Sequence, residues 1–168
     1  MIRKIQDANV KKRTVVLRLD LNIPFSNGRS GDISRIEKVK DTVLFLVKNL
    51  NKVVILSHFG RPDGKINKDL SLENLMRYLQ EILNLKITFL PSLEIETNKK
   101  QIDIAPYPSV FLMENLRFSR LEEINDLKFS SELASLGDIY CNDAFSVSHR
   151  AHASTQGITN YIPSFAGF

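Results

Sequence analysis

Short and almost unbroken apolar runs recur along the chain: Thr14–Leu19 (TVVLRL), Lys52–Leu56 (KVVIL), Lys86–Leu90 (KITFL), Val110–Met113 (VFLM) and Asp138–Cys141 (DIYC). Runs that do not alternate predict strands covered on both faces. Between the first two, Ile36, Val39, Val43, Leu46, Val47 and Leu50 share one helical face, with Asp32 or Ser34 as the cap. Leu72, Leu75, Met76, Leu79, Ile82 and Leu83 repeat that spacing behind Ser71, a natural N-cap. A third helix is predicted from about Asp126 to Leu136, through Phe129 and Leu133, with Gly137 as its C′ residue. The polar stretch Glu94–Pro108 carries no clear pattern. Strands separated by helices imply right-handed crossovers and a parallel sheet. The expected fold class is α/β: a three-layer α/β/α, Rossmann-like domain with a mainly parallel central sheet.

Composition narrows this picture. A chain of 168 residues fits one domain, and 43% hydrophobic with 25% charged residues is a globular balance. The single cysteine, Cys141, permits no internal disulfide and reads as an inert core thiol. Met1 to Asn9 (MIRKIQDAN) shows no signal peptide, and no apolar run approaches the ~20 residues that span a bilayer. A soluble, cytoplasmic protein is expected. The net charge of +4 is spread along the chain, without a basic arm or aromatics interleaved with basic residues, which argues against nucleic acid. Such a balance suits an anionic small molecule.

The chemistry is concentrated where the strands end. No Gly-x-Gly-x-x-Gly, no Gly-x-x-x-x-Gly-Lys-Ser/Thr, no His-Glu-x-x-His and no Gly-x-Ser-x-Gly occurs, so no nucleotide cradle is legible. In an open parallel sheet, ligands bind beyond the carboxyl ends of the strands. Those ends carry Asp20-Leu21-Asn22, then SHFGRP with His58 and Arg61, ENLRF with Arg117, and NDAFSVSHRAHAS with Asn142, Asp143, His149, Arg150 and His152. Arg35, opening the first helix, belongs to the same edge. Several guanidiniums converging on one edge form a receptor for phosphate or carboxylate, which their forks match bidentately. Arg3, Arg13, Arg29, Arg77 and Arg120 lack that placement and read as surface. His149-x-x-His152 has no cysteine close enough to complete a metal site, and no metal is expected. Asp20 and Asp143 read equally as an acid–base pair or, for Asp143, as a backbone-bonding group at a strand end.

RLDLNIP (Arg18–Pro24), SHFGRP (Ser57–Pro62), ENLRF (Glu114–Phe118), NDAF (Asn142–Phe145) and HRAHAST (His149–Thr155) stand in the order and at about the spacing of the phosphoglycerate kinases. The chain resembles the amino-terminal half of that family over essentially its whole length. The resemblance implies an enzyme of glycolysis and gluconeogenesis, with two α/β domains on a bending hinge and a monomeric whole. Residues 1–168 would form the 3-phosphoglycerate-binding domain. Mg-ATP or Mg-ADP would bind a C-terminal domain absent from this chain. Asp20 and Asn22 would hold the hydroxyl and glycerate end, with Leu21 between them. His58, Arg61, Arg117 and Arg150 would grip the phosphate, and Phe59 and Gly60 would shape that loop. Arg35 would reach the carboxylate and the phosphoryl group in flight, as the catalytic residue of this half. Two departures stand out: Ser146 where relatives usually have glycine, and SRLEE after ENLRF in place of a frequent Pro-Gly. If that glycine takes a positive φ, Ser146 would cost about a kilocalorie and shift the loop carrying Arg150. The other readings of the chain are a non-catalytic anion-binding module and an interaction fragment.

Overall fold

The computed structural model describes residues 3–23, 25, 26, 29, 30 and 34–168, and of 25, 26, 29, 30 and 35 the backbone alone. In chain order the elements are β1 (Thr14–Leu19), β2 (Phe25–Ser26), β3 (Arg29–Ser30), α1 (Ser34–Lys48), β4 (Lys52–Leu56), α2 (Met76–Leu83) and β5 (Thr88–Leu90). They continue with α3 (Ile95–Ile104), β6 (Ser109–Met113), α4 (Arg120–Glu123), α5 (Leu127–Ala134), β7 (Ile139–Asp143) and β8 (Ser164–Ala166). β2 and β3 pair as a small antiparallel hairpin. The other six strands form one sheet in the order β5-β6-β4-β1-β7-β8, parallel throughout.

Alternate residues of each central strand feed two separate cores. Val15, Leu17, Leu19, Val53 and Ile55 pack with Ile36, Val43 and Leu46 of α1 and Leu79 and Leu83 of α2. Val16, Val54, Leu56, Phe111 and Met113 pack with Ile95 and Ile102 of α3 and Phe129 and Leu133 of α5. With both faces covered, β1 and β4 are buried at every position, which is why their runs are continuous. The three-layer, parallel α/β expectation holds.

Local details differ from the pattern in ways that have physical causes. Leu50 leaves α1 with a φ of 59° and is 37% exposed, so it does not share the helix's apolar face. Ser34 is the first helical residue rather than a flanking cap, and Asp32 lies outside the described residues. Ser71 caps a 3-10 turn, Leu72–Leu75, that leads into α2, and Asp126 caps α5 by accepting from the Phe129 N–H. Gly137 is not a left-handed cap. It passes so close to β1 that a Cβ there would lie 2.7 Å from the Thr14 carbonyl oxygen. The segment with no legible pattern contains α3, in which only Ile95, Asn98 and Ile102 are buried. Among the described residues no helix is long and apolar enough to cross a membrane.

The strand order turns at β1. The chain moves outward from β1 through β4 toward β6 and β5, then returns past α5 to place β7 on the opposite flank. Loops leaving β1, β4 and β7 therefore part at the carboxyl end of β1 and open a crevice there.

Candidate functional site

The loop after β4 is held in place by side chains that belong to its neighbours. The Ser57 hydroxyl donates to the Leu19 carbonyl at 2.8 Å and accepts from the Leu21 N–H at 3.1 Å, tying β4's end to β1's. Asn22 Oδ1 accepts the Gly60 N–H at 2.9 Å. Asn115, fully buried after β6, donates to the Phe59 and Leu70 carbonyls at 2.7 and 2.9 Å, and its Oδ1 accepts the Phe59 and Arg117 N–H groups. Gly60 has a φ of +62°, and a Cβ there would come within 2.7 Å of Leu70 Cδ2, so both backbone and space require glycine. The Gly60 carbonyl in turn accepts from Arg117 Nη1 at 3.0 Å.

Behind this loop lies a buried polar network that the sequence motifs do not announce. Arg18, 1% exposed, donates from Nε to the Ser154 hydroxyl at 2.9 Å, from Nη1 to the Leu19 carbonyl, and from Nη2 to His58 Nδ1 at 2.9 Å. The Ser154 hydroxyl passes the link on to Glu122 Oε1 at 2.5 Å, and Glu122 Oε2 accepts the Ser154 N–H. Burial lowers the Arg18 pKa while the Glu122 carboxylate opposes that shift. The signal was available: Arg18 is the one charged residue in β1.

This arrangement decides the form of His58. Burial, and then the positive charges of Arg18, Arg117 and Arg150, push its pKa down to about 2, so the imidazole is neutral. An arginine can only donate, so Nδ1 is the acceptor and the proton sits on Nε2. His58 offers an N–H donor, not a cation.

A cavity of about 290 Å³ opens beyond these groups, lined by Asp20, Asn22, His58, Gly60, Arg61, Arg117, Ser146, Val147 and Arg150. Arg117 is 3% exposed, its pKa lowered by burial, and its Nε lies 3.6 Å from Glu123. Arg61 is exposed and Arg150 half-buried. The side chains of Leu21 and Phe59, named among the expected ligand contacts, are buried in the core cluster that includes Ile36 of α1 and Leu79 of α2, and neither lines the cavity. The Arg35 side chain lies outside the described residues. Ser146 sits in a 3-10 turn, Phe145–Val147, and not in the left-handed region, so the strain expected of a serine there does not arise. Its hydroxyl donates to Asp20 Oδ2. Asp143 is hydrogen-bonded to Thr42 and its pKa is raised by burial, which fits a structural group at the end of β7. Glu122 lies 4.0 Å from His152 Nδ1, and no three metal-donor side chains gather among the described residues.

The family model for phosphoglycerate kinase matches residues 5–168. The chain belongs to the phosphoglycerate kinase family. It is 47% identical to the phosphoglycerate kinase of Orientia tsutsugamushi (strain Ikeda) over 167 residues, covering 99% of this chain and 41% of that protein. With the enzyme of Wolbachia pipientis the identity is 42%, over 99% of this chain and 42% of the relative. Among solved structures, the phosphoglycerate kinase of Coxiella burnetii superposes with a TM-score of 0.89 at 33% identity, covering 99% of this chain and 42% of that one. That of Pyrococcus horikoshii superposes with a TM-score of 0.88 at 29% identity and the same coverage. The chain thus spans about two fifths of the length of the phosphoglycerate kinases it matches.

Proposed function

We propose that these residues supply the 3-phosphoglycerate site of a phosphoglycerate kinase, which moves a phosphoryl group reversibly between ATP and the carboxylate of 3-phosphoglycerate to give 1,3-bisphosphoglycerate and ADP. The observation that carries this reading is the composition of the 290 Å³ cavity: among the described residues three arginines and an imidazole donor line it together with a single carboxylate, Asp20. Arg61, Arg117 and Arg150 offer forked donors to a phosphate, and neutral His58 adds an Nε2–H without further charge. Asp20 and Asn22, which line the same cavity, suit the hydroxylated end of the ligand. The acceptor carboxylate is already ionised at neutral pH, so no general base is required. These residues therefore act by binding and orienting the acceptor and by spreading transition-state charge. Arg35, in the first turn of α1, is the candidate for the group in flight.

The cavity does not fit a magnesium-nucleotide. Among the described residues its lining presents cationic donors and one carboxylate, with no cluster of three carboxylate or imidazole ligands for a cation. In this reading the nucleotide binds the part of the enzyme that relatives have and these residues do not include, and hinge closure brings the two together. On their own the 168 residues bind the acceptor and do not turn over. An amide-resolved NMR titration with 3-phosphoglycerate is the test. Shifts confined to Asp20, His58–Arg61, Arg117, Arg150 and the start of α1 are expected. A spectrum that stays still at millimolar ligand overturns the assignment.

A further inference from the structure

The anion-binding groups of the cavity can satisfy a phosphate or a carboxylate, but Asp20 cannot: an ionised carboxylate only accepts, and like charge repels it. The part of a ligand that meets Asp20 must be a donor, and in a phosphorylated hydroxy acid that donor is the hydroxyl. Both Asp20 oxygens already have partners within the chain. Oδ1 accepts the Asn22 N–H at 3.1 Å, a backbone bond fixed by the loop after β1. Oδ2 accepts the Ser146 hydroxyl, carried on a single rotatable bond by a residue that is exposed and lines the same cavity. Asp20 and Ser146 also form the shared wall of a second cavity of about 510 Å³, with Lys38, Val39, Asp143, Phe145 and Phe168, into which the hydroxyl can turn when displaced.

We infer that Ser146 is a specificity-determining residue whose hydroxyl stands in for the ligand's own on Asp20 Oδ2. Resting on the substrate reading above, this means that a hydroxylated ligand exchanges one hydrogen bond to Asp20 for another, while a ligand without the hydroxyl leaves the Ser146–Asp20 bond intact. The protein consequently discriminates weakly between the two. Glycine at this position removes the competing hydroxyl from Asp20 Oδ2.

Calorimetric titration of the wild type, Ser146→Ala and Ser146→Gly with 3-phosphoglycerate and with 3-phosphooxypropionate, its counterpart lacking the hydroxyl, tests this. Both variants are expected to bind 3-phosphoglycerate about three- to tenfold more tightly, the scale of one hydrogen bond to a charged group partly regained from solvent. The affinity for 3-phosphooxypropionate should stay unchanged, which also reports an intact loop. Selectivity that is unchanged or lower in the variants, or an equal loss with both ligands, overturns the inference and leaves the substrate reading standing. Failure of the wild type to bind either ligand overturns the substrate reading itself.

Discussion

The Arg18 guanidinium and the His58 ring share one hydrogen bond, and that bond sets how the site presents itself to an anion. His58 should therefore hold the Nε2–H neutral tautomer from pH 7.5 down to 5, readable from imidazole nitrogen shifts. An imidazolium signal in that range would contradict the geometry. The sign of the stability effect follows. The folded pKa, near 2, lies below the ordinary 6.5, so between those values the unfolded chain takes up a proton that the native protein refuses. Stability from this group is complete above pH 6.5 and falls as pH drops below it, by up to about 1.4 kcal/mol per pH unit. Urea midpoints from pH 7 to 5 should slope less steeply in His58→Asn than in the wild type. Removing Arg18 strands Glu122 in the core: Arg18→Met should destabilise by about 3–5 kcal/mol in urea unfolding, the range for breaking a buried pair from one side. The motifs singled out His58, and it lines the cavity. They did not reveal its protonation state, because Ser154, the link between Arg18 and Glu122, stands 136 residues from Arg18 in the chain.

Elements in this fold are fastened end to end by a few polar side chains, and these are where substitutions should tell. Asn115 joins the ends of β6 and β4 through bonds to both backbone groups of Phe59 and to the Leu70 carbonyl. Asn115→Ala leaves those buried groups unpaired and should cost about 2–4 kcal/mol, while also weakening ligand binding through the displaced Gly60 loop. Lys52 opens β4, yet its ammonium donates to the Ile102 and Asp103 carbonyls at the end of α3, at 2.8 and 2.9 Å, and lies 4.6 Å from the centre of the Tyr107 ring. Loss of that cap in Lys52→Met should lower the melting temperature by about 2–8 °C, equivalent to about 1–2 kcal/mol for a chain of this size. Neither contact has a sequence signature. α3 itself escaped the hydrophobic pattern because Ile95 and Ile102, two turns apart, are its only buried apolar residues. β8 escaped because three half-buried residues make too short a run.

For the whole molecule, binding to the folded state alone must raise stability. At a hundredfold excess of 3-phosphoglycerate over its Kd, the gain is about 2.7 kcal/mol, or about 5–11 °C in melting temperature. Mg-ATP under the same conditions should produce no comparable shift if the nucleotide site lies outside these residues, and a matching shift would refute that placement. The sequence by itself determined the alternation of strands and helices, the parallel sheet, and the clustering of arginines and His58 at strand ends. Those features depend on periodicity and on the turn after each strand, which are local. Only the tertiary structure decided that Leu21 and Phe59 face the core, that His58 is a neutral donor, and that the Ser146 hydroxyl sits on Asp20. Burial and hydrogen-bond partners arise from segments distant in the chain, and no spacing within one segment encodes them.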